Sequence, residues 1–113
     1  MKKKSFTVAL TANDMLDVQI YYEETEQRLV KFALNYRAFI NGKYCEIYRV
    51  DNFHGFLHEQ KFWRTKEPIP IEELGLHTEG IINKYVDIIY LNYNKYRSYY
   101  EIQLEKGFKH ERK

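Results

Sequence analysis

The sequence predicts an α+β protein in which an antiparallel β-meander of about five strands precedes a long C-terminal helix that packs on one face of the sheet. Apolar and polar residues alternate over residues 6–10, 16–22 and 29–40, which is the two-residue period of a β-strand. Asn41-Gly42, which follows the third of these segments, is a strong signal for a type I′ hairpin turn. From residue 79 the apolar spacing changes to three and four residues, the period of an amphipathic helix.

The chain of 113 residues has the size of one domain, and we expect a single domain over residues 1–113. Pro68 and Pro70 remove backbone donors, which is typical of a loop between the sheet and the helix. The expected organisation is a sheet over about 5–64, a loop over 65–78, a helix over 79–105 and a basic tail over 106–113.

Composition limits the classes of function. The net charge of +2 is only mildly basic, so charge alone is weak evidence for a nucleic-acid partner. No apolar run approaches the length that spans a bilayer, so we expect no membrane contact. Cys45 is the only cysteine, which excludes an intrachain disulfide and makes the reducing cytoplasm the expected location.

The hairpin turn sets a register for the third and fourth strands. Counting outward from Asn41-Gly42 pairs Ile40 with Lys43, Ala38 with Cys45, Arg37 with Glu46, Tyr36 with Ile47 and Leu34 with Arg49. In this register Arg49 and Asp51 project from the apolar face of the sheet. Two charges at the end of an apolar stripe indicate a functional site or a salt bridge where the sheet frays.

The segment 49–58 concentrates the residues that could carry chemistry. The candidate catalytic residues are Arg49, Asp51, His54 and His58, with Asn52 as a candidate binding residue. Two histidines can cleave RNA without a metal ion, since one accepts the 2′-hydroxyl proton while the other protonates the leaving oxygen. Arg49 would stabilise charge on the phosphate, and Asp51 would orient a histidine. The alternative is structural, with His54 in a turn and His58 paired with a surface carboxylate.

A metal site is a second hypothesis for the same segment. Asp51, His54 and His58 offer one oxygen and two nitrogen ligands, which could hold zinc or manganese with an open position. Their spacing matches none of the strong zinc patterns, so the leading prediction includes no metal or other cofactor.

The C-terminal helix carries one long apolar stripe that would pack on the sheet. Its members are Ile82, Tyr85, Val86, Ile89, Tyr93, Tyr96 and Tyr100. Ile81, Ile88 and Leu91 widen the apolar surface, which indicates burial on two sides or a dimer. Tyr96 and Arg97 are candidate binding residues because tyrosines beside cations can stack on bases, although helix core is the competing interpretation.

The segment Arg49-x-Asp51-Asn52-x-His54-Gly55-x-x-His58 resembles the TumE-like small prokaryotic toxins and their uncharacterised relatives. The resemblance covers about residues 29–64. It implies a toxin of a toxin–antitoxin pair, neutralised by a helix-turn-helix antitoxin. It also implies that the functional positions are Arg49, Asp51, His54 and His58. The chain departs from the pattern after His58, where Glu59 and Gln60 stand in place of further histidines or basic residues.

These patterns together predict a small cytoplasmic toxin-like protein and a candidate metal-independent ribonuclease. Its expected partners are RNA and an antitoxin or other protein. The alternative is a non-enzymatic interaction protein of phage or mobile-element origin, for example an inhibitor of a host nuclease. In that case the histidines are structural and the tyrosine-rich helix is the contact surface.

Overall fold

Alternating apolar residues assemble six strands into one sheet whose strand order follows the chain order. The computed structural model describes residues 1–25, 27–73 and 75–107. The elements are β1 (Lys2–Thr11), β2 (Asp14–Glu23), β3 (Arg28–Ile40), β4 (Lys43–Asp51), β5 (His58–Lys61), β6 (Ile69–Pro70) and the helix α1 (Thr78–Glu105). Every pair of neighbouring strands is antiparallel. The predicted α+β meander with a C-terminal helix is therefore confirmed.

The hairpin between β3 and β4 forms as the Asn-Gly pair predicts, because Asn41 and Gly42 both adopt positive φ (51° and 85°). The three predicted pairs closest to the turn are correct. A β-bulge then shifts the register, so that Tyr36 lies opposite Tyr48. The predicted pairs Tyr36–Ile47 and Leu34–Arg49 are therefore wrong.

The bulge has a physical reason in two consecutive large apolar side chains on β4. Ile47 and Tyr48 are both buried, which strict alternation would not allow. Beyond the bulge, Asn35 lies opposite Arg49 and Ala33 lies opposite Asp51. The prediction that Arg49 and Asp51 share the apolar face is thus wrong, and both lie on the face that the helix does not cover.

Helix α1 covers the other face of the sheet. Ile82, Tyr85 and Ile89 are buried, and Tyr93 meets Tyr36 edge to face at 6.1 Å between ring centroids. The rest of the predicted stripe is partly buried against the same core. The helix begins at Thr78 and ends two residues before Gly107, whose φ of 79° suits a helix stop. The helix prediction is confirmed to within one residue.

The segment before the helix is less regular than the rest of the sheet. β5 is short and covers only His58–Lys61. β6 lies inside the segment predicted as a loop, and its Pro70 is tolerated because the strand pairs on β5 alone. The predicted basic tail beyond residue 107 lies outside the described residues. Within the described part of the chain, no helix is long and apolar enough to cross a membrane.

Candidate functional site

The turn that follows β4 is fixed by the side chain of Asn52. Its Oδ1 accepts a hydrogen bond from the Phe32 backbone N–H at 2.8 Å, and its Nδ2 donates to the Val30 carbonyl at 3.2 Å. The amide thereby continues the β3–β4 ladder past the end of β4. Gly55, at φ 84°, then turns the chain back towards β5. Asn52 is a predicted binding residue, but both polar groups of its side chain form hydrogen bonds with the backbone of β3.

Asp51 is the centre of the site. The residue is 2% exposed, and its carboxylate accepts two hydrogen bonds and contacts a histidine. Arg49 Nε donates at 2.7 Å, the Phe53 backbone N–H at 3.1 Å, and His58 Nε2 lies at 3.1 Å. Burial of an unpaired carboxylate would be strongly unfavourable, and these donors offset that penalty. One carboxylate therefore holds the arginine, the turn and the β5 histidine in a fixed arrangement.

The two histidines are stacked but have different environments. Their ring centroids are 5.8 Å apart, with an angle of 19° between the planes. The His58 side chain is 4% exposed, and its Nδ1 lies 3.4 Å from the Phe56 carbonyl oxygen. His54 is exposed to solvent. The site thus has one enclosed imidazole and one that faces water.

Arg49 is held at one end and open at the other. Its Nε is engaged with Asp51, and its Cζ lies 5.7 Å from the centre of the Phe53 ring. Among the described residues, no acceptor takes a hydrogen bond from either terminal nitrogen. The planar fork of a guanidinium matches phosphate and carboxylate oxygens. The open end of Arg49 is therefore suited to an anion.

Further cations flank this site on the helix-free face. Lys3 and Lys31 each lie opposite Tyr21 in the strand ladder. Tyr21 meets Phe53 edge to face at 5.5 Å, which links β2 to the turn after β4. In the part of the chain that is described, neither lysine forms an ion pair. The neighbourhood of Arg49 thus carries unpaired positive charge and aromatic surface.

The family model described as "Domain of unknown function (DUF7718)" matches residues 1–110. The chain belongs to this family. No curated protein and no solved structure matches it. The match is to an uncharacterised family and shows no link to the TumE-like toxins, so in this DUF7718 protein the toxin assignment rests on the short resemblance alone.

The geometry of the DUF7718 chain does not support the alternative metal site. No three His, Cys, Asp or Glu side chains of residues 1–25, 27–73 and 75–107 are grouped so that they could hold a metal ion. Both Asp51 oxygens already accept hydrogen bonds from protein donors. The His54 and His58 rings lie face to face, which does not direct their nitrogens to a common point.

Tyr96 and Arg97 lie on the opposite side of the sheet from Arg49. The Tyr96 ring stacks on Trp63 at 4.9 Å and lies 5.1 Å from Tyr48, and burial raises the pKa of Tyr96. The Arg97 Nη1 atom contacts the buried Asp14, and its Nη2 donates to a backbone carbonyl. The structure therefore groups the four predicted catalytic residues and separates these two predicted binding residues from them.

A polar cavity of about 330 Å³ also borders Arg49 and was not predicted. Its polar lining comes from Ser5, Thr7, Asp17, Gln19, Asn35 and Arg49. The alternation of polar residues in β1 and β2 was visible in the sequence, where it is typical of a solvent-facing side of a sheet. Asn35 is a lone amide within the apolar strand β3, and this feature of the sequence could have indicated a polar cavity here.

Proposed function

We propose that this protein is a small cytoplasmic ribonuclease of the toxin-like class, which cleaves RNA without a metal ion. One observation carries the proposal. The buried Asp51 carboxylate holds Arg49 and His58 together, and the exposed His54 stacks on His58. An open guanidinium beside a solvent-facing imidazole provides phosphate binding and proton transfer at one place.

The geometry supports different roles for the two histidines. His54 faces solvent, so it can reach a substrate and accept the proton of the 2′-hydroxyl. The oxygen then attacks the phosphorus, the bond from phosphorus to the 5′-oxygen breaks, and the leaving oxygen takes its proton from water. Arg49 stabilises the charge that develops on the phosphate. His58 is enclosed, so it acts as a positioning residue that supports His54 and is itself oriented by Asp51.

Electrostatics supports an anionic polymer as the substrate. Lys3, Lys31 and Arg49 all lie on the helix-free face, and the Tyr21–Phe53 pair lies among them. Cations that track a phosphate backbone, together with aromatic rings that stack on bases, are the usual elements of single-strand recognition. The Asp51 carboxylate, which contacts Arg49, is already engaged by protein donors.

The test is cleavage of a mixed RNA substrate by the purified protein, with and without EDTA. We expect cleavage to survive EDTA. His54→Ala should lower kcat by about 100- to 10,000-fold with little change in KM, because it removes proton transfer and leaves phosphate binding intact. His77→Ala is the matched control, since His77 is exposed at the helix N-terminus, away from the site. Equal activity of the His54→Ala variant and the control would refute the proposal.

The positioning role of His58 needs a separate variant. His58→Ala should lower kcat, and His58→Gln should recover part of it because the amide can still donate to Asp51. Circular dichroism shows whether each variant is folded. If His58→Ala alters only stability while kcat per folded molecule stays unchanged, His58 has no role in the reaction.

The toxin assignment is tested by expression in a bacterial host. A cytoplasmic ribonuclease of this class should arrest growth, and the His54→Ala variant should not. Growth arrest by both variants would point to an effect other than RNA cleavage.

A second candidate function is protein binding through the helix. Leu91 is 83% exposed, and Tyr90, Tyr99 and Ile102 are also exposed on α1. Such side chains favour a contact surface, as an interaction protein or nuclease inhibitor would need. If the purified protein leaves RNA intact, Leu91→Ser should weaken partner capture while His54→Ala leaves it unchanged.

A further inference from the structure

The polar cavity beside Arg49 has a distinctive composition. It lies on the helix-free face, and its volume of about 330 Å³ is at the lower end of the range for small-ligand sites. Asp17 accepts hydrogen bonds from Thr7 and from Arg37, so its carboxylate is satisfied by protein groups. The cavity is therefore not an open acidic site.

Four side chains that border the cavity have polar atoms without a hydrogen-bond partner among the described residues. Within the described residues, Ser5 and Gln19 have no side-chain hydrogen bond, and the terminal nitrogens of Arg49 have no acceptor. Asn35 donates from Nδ2 to Glu46, which fixes the orientation of the amide, and its buried Oδ1 has no partner. A buried acceptor without a donor is unfavourable by about 1–3 kcal/mol. Asn35 therefore brings a buried acceptor without a donor to the border of the cavity.

The strand register places these groups around one small residue. Ser5 lies opposite Gln19, and Gln19 lies opposite Ala33. Asn35 and Arg49 lie opposite each other in the next row of the sheet. Ala33 is buried and carries only a methyl group, so the space above it is bordered by hydroxyl, amide and guanidinium groups.

We propose that this cavity is a base-recognition subsite for single-stranded RNA. Neutral amide and hydroxyl groups match the donor and acceptor edge of a nucleobase, and the Gln19 amide supplies both a donor and an acceptor. Arg49 borders both the cavity and the Asp51–His58 site, so the base that enters belongs to a nucleotide next to the phosphate that Arg49 binds. The inference rests on the proposed ribonuclease function and adds the basis of its sequence preference.

Binding can be measured apart from cleavage in the His54→Ala background. Four short RNA oligomers, each with one kind of base, are titrated by fluorescence anisotropy. We expect one of them to bind about tenfold more tightly than the least favoured, a ratio that one well-formed hydrogen bond to a base can supply. Adding Gln19→Ala or Asn35→Ala should remove this preference and leave the weaker binding that depends on Arg49.

The matched control is Asn94→Ala, which removes an exposed amide from α1 on the other face of the sheet. It should leave the preference unchanged. Gln19 is only partly buried, so the Gln19→Ala variant decides the question if Asn35→Ala does not fold. Equal binding of all four oligomers, no binding, or a preference that survives both variants would overturn the subsite.

The outcomes separate the two proposals. If the protein never cleaves RNA but its base preference is lost in the Gln19→Ala and Asn35→Ala variants, the subsite is supported and the ribonuclease is rejected. Cleavage that depends on His54 and has the same base preference in the Gln19→Ala and Asn35→Ala variants supports the ribonuclease and rejects the subsite.

Discussion

Two buried aspartates, one on each face of the sheet, have similar partners but different surroundings. Asp14 is 3% exposed and lies on the helix side, where it accepts hydrogen bonds from Tyr36 at 2.6 Å and from Arg97 at 3.3 Å. Asp51 is 2% exposed and lies on the helix-free side with Arg49 and His58. Each therefore joins an arginine to an aromatic side chain of the sheet.

The two arginines differ in how many of their nitrogen atoms have a partner within the fold. Arg97 contacts Asp14 through Nη1, the Phe39 carbonyl through Nη2 and Glu101 through Nε, so all of its nitrogens are engaged within the fold. Arg49 uses only Nε. A closed network holds the helix on the sheet, whereas a network with an open fork presents groups to a ligand. Similar chemistry thus serves the fold on one face and is available for function on the other.

The largest expected effect comes from breaking the closed network. Asp14→Ala leaves the buried Tyr36 hydroxyl and Arg97 Nη1 without their acceptor, so the free energy of unfolding should fall by about 3 kcal/mol. Urea denaturation followed by the fluorescence of Trp63 measures this change.

Asp17→Ala provides the matched control in the same strand. Asp17 forms its ion pair with Arg37 on the other face, where both side chains are about 30% exposed. Its removal should lower stability by less than about 1 kcal/mol, because solvent screens such pairs. If the two variants lose the same stability, Asp14 does not hold the fold as argued.

The two arginines offer a sharper comparison of intermediate size. Arg97→Lys should lower the free energy of unfolding by about 1–2 kcal/mol, since one ammonium cannot serve both Asp14 and the Phe39 carbonyl. Arg49→Lys should change stability by less than about 0.5 kcal/mol and lower RNA cleavage by about tenfold or more. Denaturation and cleavage are measured on both proteins. If Arg49→Lys lowers stability and Arg97→Lys lowers cleavage instead, the open and closed networks have been assigned to the wrong faces.

Local chemistry explains why most of the fold was predictable. The alternation in β1 to β4, the Asn41-Gly42 turn and the three- and four-residue spacing of α1 are properties of neighbouring residues. The bulge at Ile47 was not predictable in this way. It depends on the core accepting two consecutive side chains, Ile47 and Tyr48, and only the assembled sheet decides that.

The same bulge limited how much of the candidate site could be predicted from the sequence. The sequence placed Arg49, Asp51, His54 and His58 in one short segment, and the pairing of β5 with β4 brings His58 beside Asp51. The sequence predicted the wrong face for Arg49 and Asp51, because a one-residue shift in register exchanges the two faces. For that reason the cavity around Asn35 could not be predicted either. Its lining comes from four strands whose relative faces depend on register.

Glu73 is a third carboxylate, outside both buried networks, and gives the smallest expected effect. Its Oε1 accepts hydrogen bonds from Lys84 Nζ at 2.6 Å and from the Tyr85 hydroxyl at 2.9 Å, and these contacts lower the pKa of Glu73 below its ordinary value of 4.5. A carboxylate whose pKa is lowered by folding stabilises the protein above the unfolded-state pKa, and this contribution is lost as the pH falls through the folded-state pKa.

Glu73→Gln should therefore lower Tm slightly at neutral pH, and its difference from the wild type should vanish at a pH below the folded-state pKa of Glu73, where the wild-type carboxyl is also protonated. Glu72→Gln is the control, since Glu72 is exposed and should show no difference at either pH. A difference for Glu73→Gln that persists unchanged as the pH falls through the folded-state pKa would mean that shape and not charge matters at this contact. Thermal unfolding by circular dichroism at several pH values separates the two, because the other carboxyl groups are common to the variant and the wild type and cancel in the difference between them.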